Sequence, residues 1–316
     1  MTPRNLALGF VLTLVAVAAA AKNASPQDGI YPDVTQHPLP ADLSAFKQPA
    51  SLVADMKAIQ TGTLQQRLEA LKTKALRDQV FVKGGTFQMG DFGRLQSREH
   101  LPWDNNSNSS PLHEVTLTSY SIGKYLVTKA ESDLYSEATG QPVMGAEELR
   151  DILKADSALG GNWYQAKAYC QWLGKLTGKP FDLPTEAQWE YAARNRGRFI
   201  VYPTSDGKID YNKNVGTSEL LEKLSLKYGA AIALFPPSPL GLYDMVGNPQ
   251  WVNDWYAANY YAHSGENDPA GPSAGGDKVL RSSDNARYSM TMHRWKDKPS
   301  GGAQFRCAVN SASPLN

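Results

Sequence analysis

Between Val279 and Trp295 the chain reads V-L-R-S-S-D-N-A-R-Y-S-M-T-M-H-R-W, and three arginines, a histidine, an aspartate and two aromatic side chains share those seventeen positions. Guanidinium groups grip anions, imidazole and carboxylate exchange protons, and aromatic faces stack on ligands, so the mixture has the composition of a cleft. It contains no cysteine and no obvious nucleophile. Elsewhere, Gly271 to Gly275 matches G-x-S-x-G, but loop-forming residues flank it where a strand and a helix are required. His113-Glu114 starts like a zinc-binding helix, yet no second histidine follows four residues on. The five histidines are scattered, and neither a Walker loop nor G-x-G-x-x-G occurs. His293, beside Arg294 and Trp295, reads as a hydrogen-bonded surface residue rather than a general base.

Local patterns indicate what must position these residues. Val80 to Gly90 alternates like a strand turning at a glycine pair, His113 to Thr118 alternates again, and Tyr120 to Val127 is a further short strand candidate. In W-Y-Q-A-K-A-Y-C-Q-W-L, residues Trp163, Ala166, Cys170 and Leu173 share one helical face. In L-P-T-E-A-Q-W-E-Y-A-A-R, Thr185 and Gln188 have capping-box spacing, Trp189, Ala192 and Ala193 face inward, and Glu190 can pair with Arg194. Leu52, Met56, Ile59, Leu64, Leu68 and Leu71 form a stripe interrupted at Gly62, which predicts an amphipathic helix or helix pair. Such a segment either packs on the main domain or docks a partner. The expected organisation is a signal peptide over 1–21, an N-terminal extension with the amphipathic helix over 22–79, and a compact domain over 80–316.

The chain has 316 residues, 41% of them hydrophobic, with a net charge of +1. That suits a globular protein and gives no field for nucleic acid or an anionic membrane. Arg4, the apolar run Leu6 to Val17 and the alanines before Lys22 have the layout of a cleavable export signal, so the expected location is the periplasm. Only Cys170 and Cys307 could form a disulfide, with two buried free thiols as the alternative.

Five motifs in order carry a more specific signal: G-G-T-F-Q-M-G (Gly84–Gly90), N-W-Y-Q-A-K-A-Y-C-Q-W-L (Asn162–Leu173), L-P-T-E-A-Q-W-E-Y-A-A-R (Leu183–Arg194), G-L-Y-D-M-V-G-N (Gly241–Asn248) and Q-F-R-C-A-V (Gln304–Val309). Together, over about 80–310, they resemble the formylglycine-generating enzyme/sulfatase-modifying factor family. The resemblance implies an α+β, C-type-lectin-related fold with little regular secondary structure, and a disulfide between Cys170 and Cys307. The family's enzymes oxidise a substrate cysteine at a copper site built from two thiols. An ungapped reading places Arg287 and Met292 where those thiols would stand, so the implied protein is not an enzyme and requires no cofactor. The family's calcium sites are also altered, with Asn248, Gln250, Asn214 and Val215 as the remaining candidate ligands of a weak site.

One exported branch of the family accompanies type VI secretion systems under threonine-phosphorylation control. The resemblance therefore implies a non-catalytic regulatory protein, peripheral to the membrane at most, that engages the periplasmic domain of a membrane Ser/Thr kinase or an associated envelope protein. The candidate recognition surface is Arg281, Asp284, Arg287, Tyr288, His293, Arg294 and Trp295, with Trp251 and Trp255; each tryptophan alone also suits a core position. Two alternatives remain. One is an exported enzyme of altered chemistry, as in siderophore maturation, using His293, Asp284 and Glu266; the other is a carbohydrate binder.

Overall fold

A computed structural model of the chain describes residues 37–104, 106–226 and 231–315. The expected signal peptide and the first part of the lead-in lie outside the described residues.

Helices α1 (Ala50–Ala58) and α2 (Leu64–Arg77) form where the apolar stripe predicts them, separated at Gly62. Thr63 restarts the helix: its side chain accepts the Gln66 N–H while the Gln66 side chain accepts the Thr63 N–H. Leu52, Met56, Ile59 and Leu71 then enter a core cluster with Tyr169, Cys170 and Leu173. The stripe therefore packs on the body of the protein rather than waiting for a partner. Lys74 fixes the packing, with Nζ 2.9 Å from Glu131 and 3.5 Å from Asp78.

Strands β1 (Gln79–Val82) and β2 (Gly85–Met89) follow, and the Gly84–Gly85 pair sends them into different sheets. A Cβ on Gly84 would lie 2.2 Å from the Leu117 carbonyl oxygen, so only glycine permits this close crossing. A single turn, α3 (Gly93–Gln96), opens the polar loop. Strand β3 (His113–Leu117) pairs antiparallel with β2. Strand β4 (Tyr120–Gly123) is shorter than its predicted range and pairs with β1.

Next come α4 (Lys129–Thr139), the short α5 (Glu147–Ile152) and α6 (Trp163–Thr177). Trp163, Ala166, Cys170 and Leu173 lie buried on one face of α6, as their spacing predicts. Strand β5 (Phe181–Asp182) leads to α7 (Glu186–Ala193), capped by Thr185 and Gln188. All of α7 is buried, which a helix at a protein surface never is. After α8 (Ser218–Lys223), strands β6 (Gln250–Trp255), β7 (Lys278–Arg281) and β8 (Arg294–Asp297) make an antiparallel sheet in that order. Strand β9 (Ala308–Asn310) returns to the first sheet, giving β1-β4-β9-β5.

The chain is an α+β fold in which long loops pack on small sheets. Cys170 on α6 and Cys307 just before β9 form the expected disulfide across 137 residues. A second core cluster joins Val115, Ile122, Trp189, Val252 and Val279, and a third, smaller one holds Phe92, Tyr202, Met290 and Met292.

Candidate functional site

The seventeen-residue stretch runs from β7 into β8 through a loop, and α7 passes beneath it. Glu186 and Glu190 stand one turn apart on that helix, so both carboxylates project the same way. Arg281 Nη1 donates to Glu186 Oε1 at 2.9 Å, and Arg281 Nη2 donates to Glu190 Oε2 at 3.0 Å. Arg294 grips Glu186 with Nε at 2.6 Å and Nη2 at 2.8 Å. Glu190 Oε1 also accepts from Arg194 at 2.8 Å and from the Gly90 N–H at 2.9 Å. Burial opposes the Glu186 charge, but Arg294 and Arg281 outweigh it and hold that carboxyl below its ordinary range. The two arginines also resist the desolvation that burial imposes and stay protonated, with Tyr261 and the two glutamates as the stabilising groups.

These contacts correct part of the expected recognition surface. Arg281 and Arg294 are wholly buried because their guanidiniums neutralise the α7 carboxylates, so they are unavailable to a partner. Trp251 is likewise buried, with Nε1 donating to the Gly161 carbonyl at 2.9 Å. Trp255 is half-buried, and the Lys278 ammonium sits 3.7 Å from its ring centroid. His293 is buried too, not a surface residue, with Nδ1 3.2 Å from Asp104 Oδ1 and its ring 4.4 Å from that of Trp295.

What stays accessible is Asp284, Tyr288 and Trp295, with Arg287 half-buried between them in sequence. Tyr288 is 41% exposed and Trp295 37%, and their rings meet edge to face at 6.3 Å. Both line a cleft of about 980 Å³, together with Asp284, Asn214, Val215 and Asn248. The fold thus gathers residues from three separate segments of the expected site. It adds four that sequence reading missed: His37, Tyr211, Phe235 and Asp244. The rings of His37 and Tyr211 meet at 4.4 Å with a 40° tilt, but each stands alone in an aperiodic segment, so no local pattern marks them.

Asp244 has a positive φ of 56°, and its Oδ2 accepts the Ala233 N–H at 2.8 Å. Burial pushes its carboxyl up to about 6, with that hydrogen bond and Arg306 pulling the other way. Among the described residues no lysine or arginine lines the cleft, whose described walls are aromatic and mildly acidic. Glu266 is exposed and does not line it, so the trio His293, Asp284 and Glu266 is not assembled.

Among the candidate calcium ligands, Gln250 is already committed to the protein. Gln250 Oε1 already accepts from Trp189 Nε1 at 3.1 Å and Arg306 Nε at 2.9 Å, which fills both of its lone pairs. Asn214 Oδ1 accepts the Asp210 N–H at 2.8 Å, and the Val215 carbonyl accepts the Asn212 N–H at 2.6 Å. Among the described residues, no group of three or more His, Cys, Asp or Glu side chains stands where it could hold a metal ion. Both cysteines are in the disulfide, and Met292 packs in the third core cluster.

A largely irregular α+β body closed by one disulfide, with a cleft walled by loops, is the architecture of the formylglycine-generating-enzyme fold. Residues 64–311 match the family model described as the sulfatase-modifying factor enzyme 1-like domain, and the chain belongs to that family. The serine/threonine-protein kinase pkn1 of Chlamydia pneumoniae is 28% identical over 265 residues, 74% of this chain and 38% of that protein. The chain spans about two fifths of the length of the chlamydial kinases it matches. The formylglycine-generating enzyme of Streptomyces coelicolor is 28% identical over 305 residues, 76% of this chain and 91% of that enzyme. The inactive C-alpha-formylglycine-generating enzyme 2 of Bos taurus is 31% identical over 159 residues, 48% of this chain and 50% of that protein. Among solved structures, PvdO from Pseudomonas aeruginosa superposes with a TM-score of 0.57 at 25% identity, covering 73% of this chain and 93% of that one.

Proposed function

We propose that the protein is a non-catalytic recognition module of the periplasm that promotes activation of a membrane Ser/Thr kinase pathway controlling type VI secretion. The observation that carries this reading is the Tyr288–Trp295 pair at the cleft. This chain presents two exposed aromatic rings in an open depression, and both of its cysteines are committed to the disulfide. Aromatic side chains held rigid at the rim of a depression are the residues that anchor protein interfaces. The kinase partner is supported by the chlamydial relatives, proteins named as Ser/Thr kinases that contain a segment similar to this chain as part of a longer polypeptide. Family members divided between active enzymes and one named inactive are compatible with loss of the reaction here.

The test is affinity capture from solubilised cell envelopes with the wild type and the Tyr288→Ala/Trp295→Ala variant. Wild type should retain a membrane Ser/Thr kinase, or an envelope protein bound to one, and the variant should bind it about thirtyfold more weakly. Capture of no membrane partner by either form would sink the reading.

One observation favours a second reading, an exported enzyme of altered chemistry. Asp244 lies in the cleft with its carboxyl pushed up to about 6, a range suited to proton transfer near neutrality. Turnover of any small molecule abolished by Asp244→Asn, with unchanged folding, would favour that reading over the first.

A further inference from the structure

Segments 93–103 and 195–200 meet over the third core cluster. Phe199 stacks on Phe92 at 5.0 Å, and Trp103 meets the same ring edge-on at 5.2 Å. Around that aromatic triple, three large apolar side chains face solvent: Leu95 at 57%, Leu101 at 51% and Phe199 at 42% exposure. Solvated loops rarely carry three such side chains together, so the patch needs an explanation.

The backbone beneath it is held firmly. The Asp91 carboxylate accepts the N–H groups of Gly93 at 2.7 Å, Trp103 at 3.3 Å and Asp104 at 2.7 Å, drawing the ends of the first loop together. Within the loop, the Ser97 hydroxyl sits 2.9 Å from both the N–H and the carbonyl of Leu101. In the second segment, Asn195, Arg196 and Gly197 are all left-handed, and the N–H groups of Arg196 and Gly197 both donate to the Tyr191 carbonyl. An arginine in that conformation is strained, and here it lies exposed in the same segment as Arg198 and Phe199.

The charges complete the pattern. Arg94, Arg98, Arg196 and Arg198 are exposed, and none of them makes an ion pair among the described residues. Glu99 is the single acid in these two segments. Apolar side chains surrounded by unneutralised guanidiniums are the composition of a surface that enters the headgroup layer of a bilayer. There the leucines and the phenylalanine reach the acyl boundary while the arginines meet phosphate.

We propose that this patch docks the protein on an anionic phospholipid bilayer, with Leu95, Leu101 and Phe199 inserted and Arg94, Arg98, Arg196 and Arg198 on the headgroups. The docking face uses none of the residues assigned to the cleft and stands or falls independently of the partner read there. Each basic side chain close to an anionic leaflet is worth about fivefold in affinity.

The test is co-sedimentation of residues 22–316, which keep every described element and omit the apolar Leu6 to Val17 run that would partition by itself. Vesicles of phosphatidylcholine with about 30% phosphatidylglycerol are compared with pure phosphatidylcholine, at about 0.1 M and about 0.5 M salt. The wild type should bind only the anionic vesicles and release at high salt. The Arg94→Gln/Arg98→Gln/Arg196→Gln/Arg198→Gln variant and, separately, the Leu95→Ser/Leu101→Ser/Phe199→Ser variant should each bind at least about tenfold more weakly. Thermal melts confirm that both variants are folded, and the arginine set alone decides the question if the apolar set is not. Absence of wild-type binding, equal binding to both vesicle types, or wild-type affinity in the arginine variant overturns the proposal. So does wild-type affinity in a folded apolar variant, which would mean adhesion by charge alone.

Discussion

Arg281 Nη1 lies 2.9 Å from Glu186 Oε1, and neither side chain reaches solvent in any useful measure. The pair joins the end of β7 to the first residue of α7, and the same carboxylate also holds Arg294 at the start of β8. One glutamate therefore fixes both ends of the loop that carries Asp284, Tyr288 and His293.

Glu186→Gln should destabilise the protein strongly. It removes one charge beneath two buried guanidiniums and leaves Glu190 as the remaining carboxylate contact of Arg281. Breaking a buried ion pair from one side costs about 3–5 kcal/mol. Chemical denaturation should show that loss, and a variant within about 0.5 kcal/mol of wild type would refute the role given to Glu186.

Cys170→Ala/Cys307→Ala removes a crosslink that closes 137 residues. In the chain-entropy model a loop of that size contributes about 5 kcal/mol, an upper figure because residual structure in the unfolded chain reduces it. The double variant should unfold at clearly lower denaturant. Mass spectrometry of unreduced wild type after treatment with an alkylating agent should find neither thiol modified.

Asp254 should make the protein less stable as pH rises towards neutrality. Burial, aided by nearby Glu186, pushes its carboxyl from 3.8 up to about 7, against the Glu186 N–H bond and the charges of Arg294 and Lys278. A raised acid holds its proton longer folded than unfolded, so its stabilisation is full below 3.8 and lost as pH rises through about 7. Asp244 acts in the same direction with its value near 6. Glu186, held below its ordinary range, acts oppositely, and its effect is confined to more acidic solution. Asp254→Asn can still accept the Glu186 N–H, which the wild type donates at 2.8 Å. The variant should melt higher than wild type at about pH 8 and lose most of the decline between about pH 5 and about pH 8. A parallel decline in both proteins would exclude Asp254 as its source.

Leu71→Ala tests whether α2 belongs to the body of the protein. Leu71 is fully buried in the first core cluster, and truncating such a side chain costs about 2–5 kcal/mol. A single cooperative transition at lower denaturant is expected. Loss of α2 in a separate early step, with the main transition unmoved, would mean that the helix pair folds apart from the rest.

Much of the local structure was legible in the residues. Thr185 with Gln188 marked the start of α7, the 3.6-residue stripe marked α1 and α2, and Cys170 lay on the buried face of α6. Capping and amphipathicity are short-range, so a few neighbouring residues suffice to reveal them. The site was legible only in part. Asp284, Tyr288 and Trp295 line the cleft, whereas Arg281, Arg294 and Trp251 turn inward. An arginine that will bind a ligand and one that will neutralise a buried glutamate look identical in one dimension.

The order of the family motifs and the capped start of α7 follow from the chain alone, because each depends on residue type and near spacing. Which charges are spent inside was decided by tertiary packing. Glu186 and Arg281 are 95 residues apart, and only the burial of α7 against β7 brings them to hydrogen-bond distance. The cleft was decided the same way, since His37, Tyr211, Phe235 and Trp295 line it only when four distant segments close on one another. Long-range contacts of that kind leave no local periodicity, and this fold is built mostly of loops that depend on them.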